Sequence, residues 1–122
     1  MHKTPQENFR HGILLFNRAE FFLAHEALED AWRETHGERR RFLQGLVQVA
    51  VALHHYRGGN LVGARGVLAR ALRNLQDYPA QYGGIALGRL REELAPILEG
   101  AENGEALPSK IPKIILQIKR RR

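Results

Sequence analysis

The sequence predicts an all-α fold: a small helical bundle of about five helices built from antiparallel helix hairpins. Three observations carry that expectation. Five segments repeat apolar residues at helical spacing. Start and stop residues punctuate those segments. Residues 42–56 hold no Asp, Glu, Lys or Arg, as expected of a helix at the centre of a bundle.

The elements follow in order. Thr4-Pro5-Gln6-Glu7 reads as a capping box with proline at the first helical position. Phe9, Ile13 and Phe16 continue that first helix, which ends at Asn17 or Arg18. A second helix spans about residues 20–34, with Phe21, Phe22, Leu28 and Trp32 as its apolar stripe and Gly37 as the turn after it. The uncharged stretch sits in a third helix over residues 38–57. Gly58-Gly59-Asn60 stops it and caps a fourth over 61–75, with Val67, Leu68, Ala71, Leu72 and Leu75 inward. Residues 77–84 read as a loop, and a fifth helix covers about 85–99, with a bend expected near Pro96. The expected division is a bundle over residues 1–105 and an apolar, basic tail over 106–122 that packs on it or trails from it. Ala24 and Leu28 are echoed by Ala64 and Leu68, a faint repeat that supports antiparallel hairpins and no more.

Charge narrows the partners. The net charge is +6, but residues 1–105 hold 13 basic and 13 acidic side chains. The excess is Lys110, Lys113, Lys119, Arg120, Arg121 and Arg122. A neutral body with a basic end leaves nucleic-acid binding to the tail alone. There is no cysteine, so disulfides and thiol chemistry are excluded. No run approaches the ~18 apolar residues of a membrane span, and the polar start lacks an apolar signal segment. A cytoplasmic protein without membrane contact is expected; self-association stays open.

One polar constellation stands out. His25, Glu29 and Trp32 share a helix face at offsets of 0, 4 and 7. With Phe21 and Leu28 beside them, that face reads as inward, and a buried carboxylate needs a partner. Gln44, Gln48 and His55 form a polar stripe on the third helix, and antiparallel packing would set the two stripes face to face as a pocket. Three readings fit. One is a hydrogen-bond network that fixes helix register. The second is a divalent metal site of His25, Glu29 and His55. The third is metal-free acid/base chemistry or small-ligand binding with Glu29 tuned by burial. His25-Glu26-Ala27-Leu28-Glu29 is not the zinc-protease HExxH pattern, because Glu29 stands where the second histidine belongs. His54 points to another side, and Arg39-Arg40-Arg41 reads as a solvated helix start pairing with Glu34 and Glu38.

Phe16-Asn17, Glu20-Phe21-Phe22, Ala24-His25-Glu26, Glu29, Trp32, Phe42-Leu43-Gln44-Gly45-Leu46, Gln48, Ala50, His55, Gly59-Asn60 and Gly63-Ala64 together resemble the prokaryotic domain-of-unknown-function family 309. Its signature, His-x-x-x-Glu-x-x-Trp/Tyr, is met by His25, Glu29 and Trp32, and the resemblance covers about residues 9–75. It implies a small helical bundle and metal binding at His25 and Glu29. It names no reaction. The function classes that remain are a pocket protein that holds a metal, a metal-assisted hydrolase, and a non-enzymatic interaction module acting through the hairpin surface or the basic tail.

Overall fold

The computed structural model describes residues 3–117, and among them the fold is helical. Helices α1 (Pro5–Asn17), α2 (Phe21–Arg33), α3 (Glu38–Arg57) and α4 (Leu61–Leu75) run in order. A two-stranded hairpin, β1 (Gln81–Tyr82) and β2 (Ile85–Ala86), then leads into α5 (Leu87–Glu102). The capping box closes in both directions: the Glu7 amide donates to Thr4 Oγ1 at 3.1 Å and the Thr4 amide to Glu7 Oε1 at 2.8 Å. Asn60 caps α4 by accepting from the Gly63 amide at 2.9 Å.

Each helix packs on the next, and α3 lies between α2 and α4. Two glycines set the closest approaches. A Cβ on Gly12 would lie 2.6 Å from Leu28 Cγ, and one on Gly45 would lie 2.6 Å from Leu75 Cγ. Around these crossings Phe9, Phe16, Phe21, Phe42, Leu46, Leu53 and Leu68 form one buried core.

The end of the bundle departs from the sequence reading. The segment 77–84 is not simply a loop, because Gly83 and Gly84, both at positive φ, turn the chain into the hairpin. Tyr82 then lies 4.9 Å from the Phe42 ring and 4.6 Å from Tyr78. Helix α5 starts after β2 and runs through Pro96 to Glu102, three residues past the expected end. Beyond it, residues 105–117 form an extended strap. Ile114 is buried, and its backbone is clamped by the Asn17 side chain, which donates to its carbonyl at 2.9 Å and accepts from its amide at 2.7 Å. Further along, the Ala86 amide donates to the Ile115 carbonyl at 2.9 Å, and Leu116 bridges Ile85. Ile118, Lys119, Arg120, Arg121 and Arg122 of the expected tail lie outside the described residues.

Candidate functional site on α2 and α3

Helix α2 carries two parallel stripes at the same spacing. Phe21, Ala24, Leu28 and Ala31 are fully buried. Phe22, His25, Glu29 and Trp32 run beside them, about 100° round the helix, and are half-buried or exposed. The expectation that His25 and Glu29 lie on the inward face is therefore corrected, while Trp32, partly buried, does pack against the core. The alanines explain the shift: Ala24 and Ala31 let α2 approach its neighbours closely, so the inward face is the 21–24–28–31 stripe. Phe22, expected inward, is 50% exposed.

His25 and Glu29 do meet. The His25 Nε2 atom lies 3.7 Å from Glu29 Oε2, with side chains 23% and 34% exposed. His25 Nδ1 is 3.2 Å from the Phe22 carbonyl oxygen. With the proton on Nδ1, that nitrogen donates to the carbonyl and Nε2 keeps its lone pair. The other Glu29 oxygen accepts from Arg33 at 2.7 Å, and Arg33 also donates to Asp30 at 2.9 Å. Glu29 thus finds its partners on its own helix, within an open surface network.

The remaining members of the expected pocket do not join them. Gln44 is exposed. Gln48 turns to α4 and accepts from Asn74 Nδ2 at 2.7 Å. His55 faces the start of α4, with Nδ1 3.5 Å from Asn60 Nδ2. Among the described residues no three His, Cys, Asp or Glu side chains converge as a metal site, so His25, Glu29 and His55 do not form the expected three-ligand set. The physical reason lies in α3. Its buried residues cover the faces toward α2, α4 and the core, and its remaining stripe, Gln44, Val47, Gln48, Val51, His54 and His55, holds no Asp, Glu, Lys or Arg. Lack of charge there marks an outer face that is not core.

What α2 and α3 do assemble is aromatic. The Phe22 ring sits between two imidazoles, with centroids 5.6 Å from His25 and 5.5 Å from His54. His54 in turn lies 6.1 Å from His55. At the other end of the pair, the Arg40 guanidinium stacks 4.0 Å from the Trp32 ring centroid and donates to the Trp32 carbonyl at 3.1 Å and the Thr35 carbonyl at 3.0 Å. Trp32 Nε1 is buried with no acceptor, a cost against which the ring's packing and the stacked cation stand. The three consecutive arginines are not one solvated run. Arg39 lies over Phe9 and Phe42, Arg40 over Trp32, and Arg41 reaches Asp77 at 3.3 Å.

Residues 9–67 match the family model of a domain of unknown function, DUF309. Over that segment the chain is similar to this family. The DUF309 segment holds α1 from Phe9 onward, α2, α3 and the first half of α4, and with them every residue of the α2–α3 face; the hairpin, α5 and the strap lie outside it. An uncharacterized protein of Aquifex aeolicus (strain VF5) is 33% identical over 90 residues, covering 73% of this chain and 27% of that protein. The uncharacterized protein YpuF of Bacillus subtilis (strain 168) is 37% identical over 103 residues, covering 82% of this chain and 57% of that protein. The chain therefore matches about a quarter of one curated relative and just over half of the other. Among the described residues no helix is long and apolar enough to cross a membrane.

Phe22, His54 and Arg40 were missed by sequence reasoning. The signal was present: once the small residues Ala24 and Ala31 are counted with Phe21 and Leu28, Phe22 falls on the stripe beside them.

Proposed function

We propose that this chain is a non-enzymatic interaction module whose docking face is the outer flank of α2 together with His54 of α3. The observation that carries the reading is Phe22. It is a half-exposed aromatic ring held between imidazoles of two helices, with the half-exposed carboxylate of Glu29 nearby. A rigid aromatic anchor with a polar rim is the arrangement that concentrates binding energy at protein interfaces. The partner that fits is a protein segment bringing an apolar side chain and a basic one. Glu20, Glu26, Glu29, Asp30 and Glu34 make this helix and its ends acidic, with Arg33 as the one basic residue there. The reading is supported by the relatives, in which a matching stretch sits inside chains of quite different length, as modules do.

Replacing Phe22 with the photo-crosslinker p-benzoylphenylalanine in the source cell tests it. The expected result is a discrete protein adduct whose cross-linked peptide is basic, absent when the crosslinker is placed at Arg65 and lost on Glu29→Lys. An adduct of twice the chain's mass would replace the proposed partner with a second copy. No adduct above the Arg65 background would end the reading.

A second reading rests on one observation. With Nδ1 held by the Phe22 carbonyl, His25 Nε2 and Glu29 Oε2 supply two neighbouring donors, and such a carbonyl contact is the usual support of a metal-binding imidazole. These two residues suit two positions around a divalent ion, while His55 is turned away to Asn60. Zinc titration of wild type and Glu29→Gln tests it: saturation near one equivalent, lost in the variant, favours the metal, and equal weak binding by both removes it.

A further inference from the structure

We propose that the cavity between α5 and the strap binds a free amphipathic carboxylate, an anionic head on an alkyl chain. This site is separate from the α2–α3 face and does not rest on it. The cavity measures ≈ 700 Å³, within the range of about 300–1,000 Å³ typical of small-molecule sites. Its accessible apolar lining is Pro96 of α5 with Ile111 and Ile115 of the strap, over the buried Ile97. Its charged lining is Arg89, Lys110 and Lys113 against one acid, Glu93. That acid is already engaged, because Arg89 Nε donates to it at 3.3 Å. Residues 106–117 contain no Asp or Glu, so the one acid of the strap is Glu105 at its far end, five residues before Lys110.

The strap that forms one wall of the cavity is fixed at both ends. At one end Tyr56 donates its hydroxyl to the Glu105 carbonyl at 2.7 Å. At the other, Asn17 clamps Ile114 and β2 holds Ile115. Between those anchors Pro108 and Pro112 restrict the backbone, Pro112 is buried, and Leu107 and Ile111 pack against the core, so the segment is a fixed wall beside α5. An apolar floor under a cationic rim selects one kind of small molecule. Its chain displaces water from Pro96, Ile111 and Ile115, and its carboxylate meets Lys110 and Lys113.

The test is a titration of the full ¹⁵N-labelled chain with decanoate below its micelle concentration, followed by amide shifts. The expected result is saturable binding with shifts confined to residues 89–97 and 108–115. Decyltrimethylammonium, with the same chain and the opposite head, should not saturate, nor should acetate, which has the head alone. Lys110→Glu/Lys113→Glu should weaken decanoate at least tenfold while its helical spectrum stays that of wild type; both lysines are exposed, so the fold does not depend on them. Equal binding of the anionic and cationic amphiphiles would overturn the proposal, as would affinity unchanged by the charge reversal. Shifts centred on Phe22 and Leu23, or no saturation with decanoate, would overturn it too.

Discussion

Phe21 and Phe22 are the same side chain one residue apart, and they do opposite things. Phe21 is fully buried, edge-on to Phe16 with ring centroids 5.2 Å apart, and its stripe of small and aliphatic neighbours draws α2 into the core. Phe22 is half exposed between two imidazoles, and its stripe carries His25, Glu29 and Trp32. The difference teaches that one helix can separate holding the fold from meeting a partner by a single step of about 100°. Core packing tolerates little change on the first stripe. On the second, Phe22, His25 and Glu29 can change with little cost to the fold, while Trp32 packs against the core.

Substitutions can break that contrast. Phe21→Ala should have the largest effect, a loss of about 3–5 kcal/mol of stability measured by urea denaturation. Gly12→Ala probes the same inner stripe from α1. Its new methyl would meet Leu28 Cγ at 2.6 Å, and forcing it in should cost about 1–3 kcal/mol. Phe22→Ala should cost only about 1 kcal/mol, since half of the ring already faces water, while abolishing the cross-linked adduct's non-covalent counterpart in a pull-down with the identified partner. A loss as large for Phe22→Ala as for Phe21→Ala would erase the distinction between the stripes.

The smallest effect is a control far from both stripes. Hydrogen bonds from the Thr4 backbone and side chain hold the Glu7 carboxyl below its ordinary value of 4.5. A depressed folded-state value stabilises the folded form above the unfolded pKa and stops doing so as pH falls through the folded one. The start of α1 should therefore loosen as pH drops below 4.5, seen as shifts of the Thr4 and Glu7 amides. Glu7→Gln should remove that titration and leave α2 unchanged.

Much of the fold was legible because its signals are local. The bounds of α3 and α4 follow from Gly37, Gly58 and Asn60, and the start of α1 from Thr4 and Pro5. The hairpin was missed although Gly83-Gly84 carries a turn signal, because strands of two residues show no alternation to read. Helix α5 begins two residues later and ends three residues later than the spacing suggests. The site was harder. That His25 and Glu29 adjoin follows from spacing alone, but which way their stripe faces depends on how closely α2 approaches its neighbours. Ala24 and Ala31 decide that, and small residues give a weak apolar signal. Likewise the uncharged run of α3 correctly placed it between two helices, yet it hid an outer stripe on which Gln48 and His55 turn to α4 and not to α2.

The central claim is that His25 and Glu29 stand on an open face and do not hold the core. The unfolding free energy of His25→Ala/Glu29→Ala tests it most directly. The substitutions remove helix-surface pairs worth about 0.3–0.5 kcal/mol each and add two strong helix formers. The account predicts a stability within about 1 kcal/mol of wild type, with the helical spectrum unchanged. A buried network would instead leave its partners unsatisfied at about 1–3 kcal/mol apiece, so a loss of about 3 kcal/mol or more would contradict the account.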